Sequence, residues 1–266
     1  MSTAPQPVGT LLRDWRVRRR MSQLDLASEA EISTRHLSFL ETGRSQPSRD
    51  MLLKLAEQLG IPLRERNVLL TAAGYAPVFA ERQLDDPDLE SARKAISLVL
   101  AGHEPFPALA IDRHWNLVDA NAGVTRLMAG ADKDLLRPPI NVLRLSLHPK
   151  GLASRIANFS EWRAHLLARL HRQIELTADA VLADLLRELS AYPKPAAPRQ
   201  PRPARDRYAG IVVPLQLTAG PLTLTLFSTT TIFGTPVDIT LSEIAIEAFF
   251  PADPQTAEAL RAMANR

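Results

Sequence analysis

The residues best equipped for chemistry lie close together, at Thr34, Arg35, His36, Ser38 and Phe39. They combine a guanidinium, an imidazole, two hydroxyls and an aromatic ring. On one short helix with Leu37 and Leu40 turned inward, these five point outward and offer both hydrogen bonds and apolar contact. A helix so equipped can read base edges in the major groove, where every base pair shows its own pattern of donors, acceptors and methyl groups. A solvated face of a small helical bundle would carry similar residues. Phe39 suits either of two roles, contact with a thymine methyl or packing against a neighbouring helix.

Other constellations converge on nothing. The histidines at 36, 103, 114, 148, 165 and 171 do not pair at metal-ligand spacing, since His165 and His171, six apart, would lie on different faces of a helix. The chain has no cysteine, which excludes disulfides, thiolate metal sites and cysteine nucleophiles. It holds no nucleophile elbow, phosphate loop or dinucleotide fingerprint. Glu243 and Glu247 would share one face of an extended segment, but nothing joins them, and they read as structural or solvated. No catalytic residue, metal or cofactor is expected, and the chain reads as something other than an enzyme.

The elements that position the first cluster are short helices, each with its own start and stop signals. Leu11, Leu12, Trp15 and Val17 mark the first. Ser22 caps the second, in which Leu24, Leu26 and Ala27 point inward, and Ser33 caps the third. Gly43 ends the third, and a turn at Ala30 to Ile32 joins second to third. Ser48 begins the fourth, with Met51, Leu52, Leu55, Ala56 and Leu59 as its stripe, and Gly60 closes it. Pro62 sits near the start of the fifth. Arg18, Arg19 and Arg20 are either a solvated helix end or a phosphate clamp.

Beyond Pro77 one or two helices are broken around the acidic run Asp85 to Asp88. Periodicity then changes. PALAID from Pro107 and WNLVDA from Trp115 read as two strands joined by a tight turn, with a helix over 121–129 to follow. Helical spacing returns from Phe159 to Tyr192, as one long helix or a broken pair. Prolines at 193, 195, 198, 201 and 203 mark an exposed loop. Strands resume over 210–217 and 222–231, where Leu222, Leu224 and Leu226 share one face and Thr223, Thr225 and Phe227 the other. A last helix spans 254–264.

At 266 residues the chain suits one small and one larger domain. Its net charge is +3, and all the excess lies in residues 1–75, with 11 Lys and Arg against 8 Asp and Glu. Such a basic excess attracts polyanions only weakly. No apolar stretch approaches the roughly 20 residues needed to cross a bilayer. The opening MSTAPQPVG lacks the order of a secretory signal, so a cytoplasmic location is expected.

The segment QLDLASEAEISTRHLSFLETGRSQPSR resembles the Cro and phage-repressor type of helix-turn-helix, the xenobiotic-response-element family, over residues 8–75. The resemblance implies double-stranded DNA as the partner. It places Gln23 on the DNA backbone at the groove edge, Thr34, Arg35 and Phe39 toward bases, and Arg44 on a phosphate. Arg49 takes a phosphate or minor-groove contact. An Arg–Glu pair characteristic of that family falls on Arg16 and Glu41, where it would tie two helices together. Because one recognition helix reads few base pairs, a homodimer on a near-palindromic operator is expected. Some helix-turn-helix domains instead bind proteins or act as antitoxin modules, and the second domain would then be purely architectural.

NVLRLSLHPKGL, the helical segment ending AYP, and FSTTTIFGTPVDITLSEIAIEAFFPAD resemble the ligand-binding domain of the MmyB-like transcription regulators. That resemblance implies an α+β, PAS-like domain over 106–264, after a helical connector at 76–105. In it an antiparallel sheet carries helices on one side, with a cavity between them. Residues expected at that cavity are Trp115, Phe159, Trp162, Phe227 and Phe233, with Thr229, Thr230 and Thr231 as polar anchors. Core packing and β-propensity would explain the same residues. The implied effector is a small apolar molecule, a fatty acid among the candidates.

Overall fold

The computed structural model describes residues 6–195, 212–234, 236 and 238–265. Pro198, Pro201 and Pro203 of the proline run, and the start of the strand expected from Gly210, lie outside the described residues. The chain divides into two compact units. The first gathers Met1–Arg82 with the short segments Glu175–Thr177 and Val237–Ile239, and the second holds the remainder.

Five helices build the first unit: α1 (Val8–Arg18), α2 (Gln23–Glu29), α3 (Thr34–Glu41), α4 (Arg49–Gln58) and α5 (Leu63–Ala72). Side chains that compete with helix interiors start three of them. Ser22 accepts the Asp25 N–H while the Asp25 carboxylate accepts the Ser22 N–H, a capping box. The hydroxyls of Ser33 and Ser48 accept the N–H groups of His36 and Met51. Each such cap contributes about 1 kcal/mol. Gly43 and Gly60, at φ +72° and +56°, let the chain turn after α3 and α4.

Leu12, Trp15, Leu26, Leu37, Leu40, Leu52, Leu55 and Leu70 form the core of this unit. Two expected members are outside it. Val17 is 57% exposed and Leu24 66% exposed. The buried stripe of α1 runs through Gly9, Leu12 and Trp15, and that of α2 through Leu26 and Ala27. Two residues beyond Trp15, or before Leu26, the helix has turned about 200° away from the stripe. Met51 is only half-buried.

The second unit is built on an antiparallel sheet of β1 (Ala108–Ile111), β2 (Leu117–Ala120), β3 (Leu215–Ala219), β4 (Leu222–Ile232) and β5 (Ala245–Pro251), in the order β2-β1-β5-β4-β3. A helix α6 (Glu90–Gly102) precedes it. Helices α7 (Ala122–Met128), α8 (Val142–Leu147), α9 (Phe159–Thr177) and α10 (Ala180–Ala191) lie between β2 and β3. The short α11 (Ile239–Ser242) and the final α12 (Pro254–Ala264) flank β5.

Helices cover both faces, not one. Leu109, Ile111, Leu224, Leu226 and Phe249 pack with Trp162, Leu166, Leu170 and Leu185 on one side. On the other, Ala108, Ala110 and Ile246 meet Ile96 and Leu100 of α6. Every residue of β1 is accordingly buried, and its unbroken apolar run ALAI is what a strand covered on both faces requires. Between α9 and α10, Ala178 takes the left-handed conformation at φ +59°, and the Asp179 carboxylate accepts the Val181 N–H at 2.8 Å. The helical segment is thus a broken pair. Neither α8 nor β5 is apparent from periodicity alone. Capping by Asn141, whose side chain accepts the Arg144 N–H, starts α8.

Candidate nucleic-acid interface and ligand cavity

Leu37 and Leu40, both fully buried, anchor α3 to the first unit and thereby turn its other face outward. Arg35 is exposed there, while Thr34, His36, Ser38 and Phe39 are half-buried. Phe39 lies outside the buried core. Its ring is flanked by two cations, with the Arg35 guanidinium 5.3 Å from the centroid and that of Arg44 5.9 Å away. Arg44 is held near by its backbone, whose N–H donates to the Phe39 carbonyl at 2.9 Å. Arg49, the first residue of α4, is also exposed. Two hydrogen-bonding forks and an apolar ring therefore occupy neighbouring positions on one surface.

The turn before α3 carries a feature the sequence does not announce. Glu31 takes the left-handed conformation at φ +54°, a position that favours glycine, and its carboxylate accepts a hydrogen bond from Lys54 Nζ at 2.8 Å. That pair is exposed and contributes little by itself.

Beneath this surface Glu41 is a buried hub. Arg16 donates from Nε to Oε1 at 2.6 Å and from Nη2 to Oε2 at 2.9 Å, a two-pronged pair. Arg16 Nη1 also donates to the Met21 carbonyl at 2.8 Å. Burial pushes the Glu41 carboxyl up, but hydrogen bonds from Arg16 and Gln23 outweigh it, and the group ends below the ordinary carboxylate value. Gln23 also belongs to this hub, because its Nε2 donates to Glu41 Oε2 at 2.8 Å, which fixes the amide at the start of α2.

Arg18 and Arg19 divide their work, and Arg20 is exposed. Arg19 is neither a solvated end nor a clamp, because its Nε donates to the Leu59 carbonyl at 2.7 Å and its Nη2 to that of Gly60 at 3.0 Å. It caps the C-terminus of α4, where a cation suits the helix dipole. Arg18 is exposed and lies 5.6 Å from the Trp15 ring.

In the second unit a cavity of about 90 Å³ lies against the sheet. Trp115 and Trp162 line it, along with Leu109, Leu127, Leu143 and Phe249. Both indole N–H groups are satisfied, Trp115 by Gln173 Oε1 at 2.8 Å and Trp162 by Ser146 Oγ at 3.0 Å. Phe159 belongs to the surrounding core but not to the wall.

Three other residues expected at the cavity lie elsewhere. Phe227 alternates onto the opposite sheet face from Leu226 and stacks on Phe250, centroids 5.3 Å apart. Thr229 is exposed. Phe233, past the end of β4, packs with the α6 cluster. Phe227 and Thr229 fall on the sheet face opposite Leu224 and Leu226, and the last four residues of β4, Thr229 to Ile232, are exposed. Of the other threonines, Thr231 is exposed and Thr230 Oγ1 accepts from Arg169 Nη2 at 3.0 Å.

Sequence reasoning did not foresee the polar side of this cavity. Glu247 is on the wall, buried, and ion-paired to Arg169. The same guanidinium stands 4.8 Å over the Trp115 ring. Glu243 does not join it, lying instead 3.6 Å from Arg113. A strand assignment for 245–251 would have put Glu247 and Phe249 on one face, and that alternation is the signal that could have found it.

Among the described residues no helix is long and apolar enough to cross a membrane. The helix-turn-helix family model matches residues 12–66, and the MmyB-like transcription regulator ligand binding domain matches residues 92–263. Helix-turn-helix-type transcriptional regulators of Mycobacterium tuberculosis and Mycobacterium bovis are each 27% identical over 210 residues, covering 70% of this chain and 75% of their own length. A regulatory protein of the same type from Methanoculleus marisnigri is 38% identical over 113 residues. That match spans 40% of this chain and 35% of the relative. The crystal structure of the clp gene regulator ClgR from Corynebacterium glutamicum is similar over 37% of this chain and 90% of its own, at 28% identity and a TM-score of 0.23. The first model falls within the five-helix unit and the second spans the sheet-bearing unit, and the chain belongs to the MmyB-like transcription regulators, DNA-binding helix-turn-helix proteins that carry a ligand-binding domain.

Proposed function

We propose that α3 enters the major groove of a near-palindromic operator, that the protein does so as a homodimer in the cytoplasm, and that its second unit senses a small apolar molecule. The observation that carries the DNA reading is the grouping of Arg35, Phe39 and Arg44 on the outer side of α3 and its following loop. Arg35, near the helix start, reaches guanine acceptors, Thr34, His36 and Ser38 supply further polar contacts, and Phe39 offers its ring to a thymine methyl. Arg44, Arg49 and Gln23 hold phosphates and set the register. Two half-sites about one helical turn apart then supply the specificity that one helix lacks.

The sensing half rests on the cavity beside Trp115 and Trp162, whose wall is apolar apart from Ser146 and Glu247. An apolar effector, of which a fatty-acid chain is one example, would bind the native state and raise its melting temperature. No catalytic role is assigned to any residue.

Footprinting on DNA selected from random sequence, with sedimentation of the complex, tests the first part. Two protected half-sites and two protomers per duplex are expected. A one-to-one complex on an asymmetric site at saturating protein contradicts the dimer, and equal affinity for every duplex contradicts sequence reading.

A further inference from the structure

The cavity of the second unit holds about 90 Å³, less than the roughly 150 Å³ that admits benzene in a protein core. Any larger apolar guest must therefore move part of the wall. Most of that wall belongs to rigid elements. Leu109, Leu215 and Phe249 lie on β1, β3 and β5 of one sheet, and Trp162 and Leu166 on the 19-residue α9. On α7 the backbone of Pro107 closes on Gly123, where a built Cβ would meet it at 3.0 Å. By contrast α8 has six residues, and Val142, Leu143, Leu145 and Ser146 of it line the cavity. So short a helix is not stable by itself, and its ties to the rest of the unit decide where it stays.

At its start α8 hangs from the β1–β2 turn. The Val142 N–H donates to the Trp115 carbonyl at 2.9 Å, and Asn141 Nδ2 donates to that of His114 at 2.8 Å. Trp115 sits there at φ +67°, a backbone conformation that a bulky residue keeps only where its surroundings hold it, and one that recurs at ligand clamps and switch regions. On the outer side Arg144 grips Glu188 of α10 with two prongs, Nε to Oε1 at 2.9 Å and Nη2 to Oε2 at 2.7 Å. The Tyr192 hydroxyl donates to the same carboxylate. The Arg144 and Glu188 side chains are 43% and 38% exposed, so water replaces this pair at little cost. The inner side adds one hydrogen bond, from Trp162 Nε1 to Ser146 Oγ, and the packing of Leu143 and Leu145, which an apolar guest would take over.

We propose that α8 is a lid over the cavity, hinged at the β1–β2 turn and latched to α10 by Arg144 and Glu188, and that an apolar guest binds by opening it. The inference rests on reading this cavity as the ligand site. The guest-bound protein then has the latch broken, so the closed form resists the guest by the strength of the latch. Removing the latch raises the share of open protein, which both tightens binding and speeds entry.

The test uses the full chain and decanoate, a straight-chain acid too large for the closed cavity, at neutral pH. Tryptophan fluorescence in titrations and stopped flow reports on the wall, because Trp115 and Trp162 are two of the three tryptophans. Glu188→Gln and Arg144→Met each break the latch but change the net charge in opposite directions. Both should bind decanoate about two- to fivefold more tightly than wild type, the scale of an exposed ion pair, and with faster association. Tyr192→Phe, which removes one hydroxyl from the latch and no charge, should move the same way and decides the matter if the charge variants do not fold. Opposite effects of Glu188→Gln and Arg144→Met would mean that the charges act on the acid head group and not on a lid. That result, or variants that bind no faster and no tighter than wild type, overturns the lid and leaves the cavity reading standing. If neither wild type nor any variant binds decanoate saturably, the cavity reading falls and the proposal with it.

Discussion

One turn apart on α3, the Arg35 guanidinium lies over the ring of Phe39, 5.3 Å from its centroid. Arg44 reaches the same ring from the following loop, at 5.9 Å. A cation held over an aromatic face at an exposed site gains about 0.5 to 1 kcal/mol. The larger consequence is restraint, since a long side chain already resting on a ring loses less freedom when it binds DNA. Phe39 therefore braces the two arginines while remaining available to a base.

Phe39→Leu should weaken binding to the selected operator by a few-fold while leaving the melting temperature within about 2 °C, because the ring lies outside the buried core and surface changes cost within about 0.5 kcal/mol. Binding isotherms and melting curves on the same preparation check this. A large loss of stability would show that Phe39 packs as core.

Arg35 and Arg44 share the Phe39 ring but differ in what they reach. Arg35→Ala should cost about 1 to 3 kcal/mol on the selected operator and much less on scrambled DNA. Arg44→Ala should weaken both duplexes similarly and lower the slope of log K against log salt by about one unit. Titrations at several salt concentrations separate them. Equal losses on both duplexes for Arg35→Ala would mean that α3 is not the reading helix.

Much of this was legible in the chain because local chemistry decides it. Ser22, Ser33 and Ser48 start helices by bonds reaching three residues ahead, and such bonds are visible in sequence. The Arg16–Glu41 pair and the outward face of α3 followed from resemblance and helical period. The cavity wall was legible only in part. Trp115 and Trp162, expected there, do line it, but the pairing of Glu247 on β5 with Arg169 on α9 depends on strand register and on the crossing of helix over sheet. Phe227 was misplaced for the same reason, since a strand alternates its faces whatever covers them. Glu31 in the left-handed turn conformation had no sequence signal, because glycine is the residue that usually announces one.

Gly9 was also invisible in the sequence, yet it sets the approach of α1 to α3. A Cβ built there would lie 2.4 Å from the Leu40 carbonyl oxygen and 2.7 Å from that of Glu41, both backbone atoms. Gly9→Ala should therefore destabilise the first unit by about 1 to 3 kcal/mol, the scale of overpacking, despite the better helix propensity of alanine. Gly102→Ala on α6 is the control, because nothing lies within 4 Å of its built Cβ. Denaturant melts of the two variants should move in opposite directions or differ by more than the propensity term alone. Equal stability of both would show that α1 can shift freely.

His165 stacks on Trp162, centroids 5.5 Å apart. Burial, and then the charges of Arg169 and Arg172, hold its imidazolium below the ordinary value of 6.5. The sign follows directly. Below pH 6.5 the unfolded chain takes up a proton that the folded chain refuses, so stability is complete above that pH and declines as pH falls toward the folded value. His165→Gln should remove this part of the slope between pH 7 and the folded value. Ring-proton titration by nuclear magnetic resonance checks it, and a His165 midpoint above 6.5 would contradict the burial argument.

Glu41 joins α1, the start of α2 and the end of α3 through Arg16 and Gln23, so its loss tests whether DNA reading depends on the buried hub. The Arg16 and Glu41 side chains are 10% and 2% exposed, and removing one partner of a buried pair costs about 3 to 5 kcal/mol because the other charge is left uncompensated. Glu41→Ala should lower the melting temperature of the first unit before any DNA is added. Arg16→Met with Glu41→Leu should recover much of that loss, since replacing both charges with apolar groups removes the stranded ion. The pH dependence gives a second readout. Folding holds the Glu41 carboxyl below its unfolded value of 4.5, so its stabilisation is complete above that pH and is lost as pH falls through the folded value. Both the single and the double variant should lose that acid-limb slope, while only the double variant keeps neutral-pH stability. With stability restored, the double variant should still bind DNA less well, because Gln23 loses the acceptor that orients its amide at 2.8 Å. Unchanged operator affinity in a stable double variant would assign the hub to folding alone and free Gln23 from any dependence on Glu41.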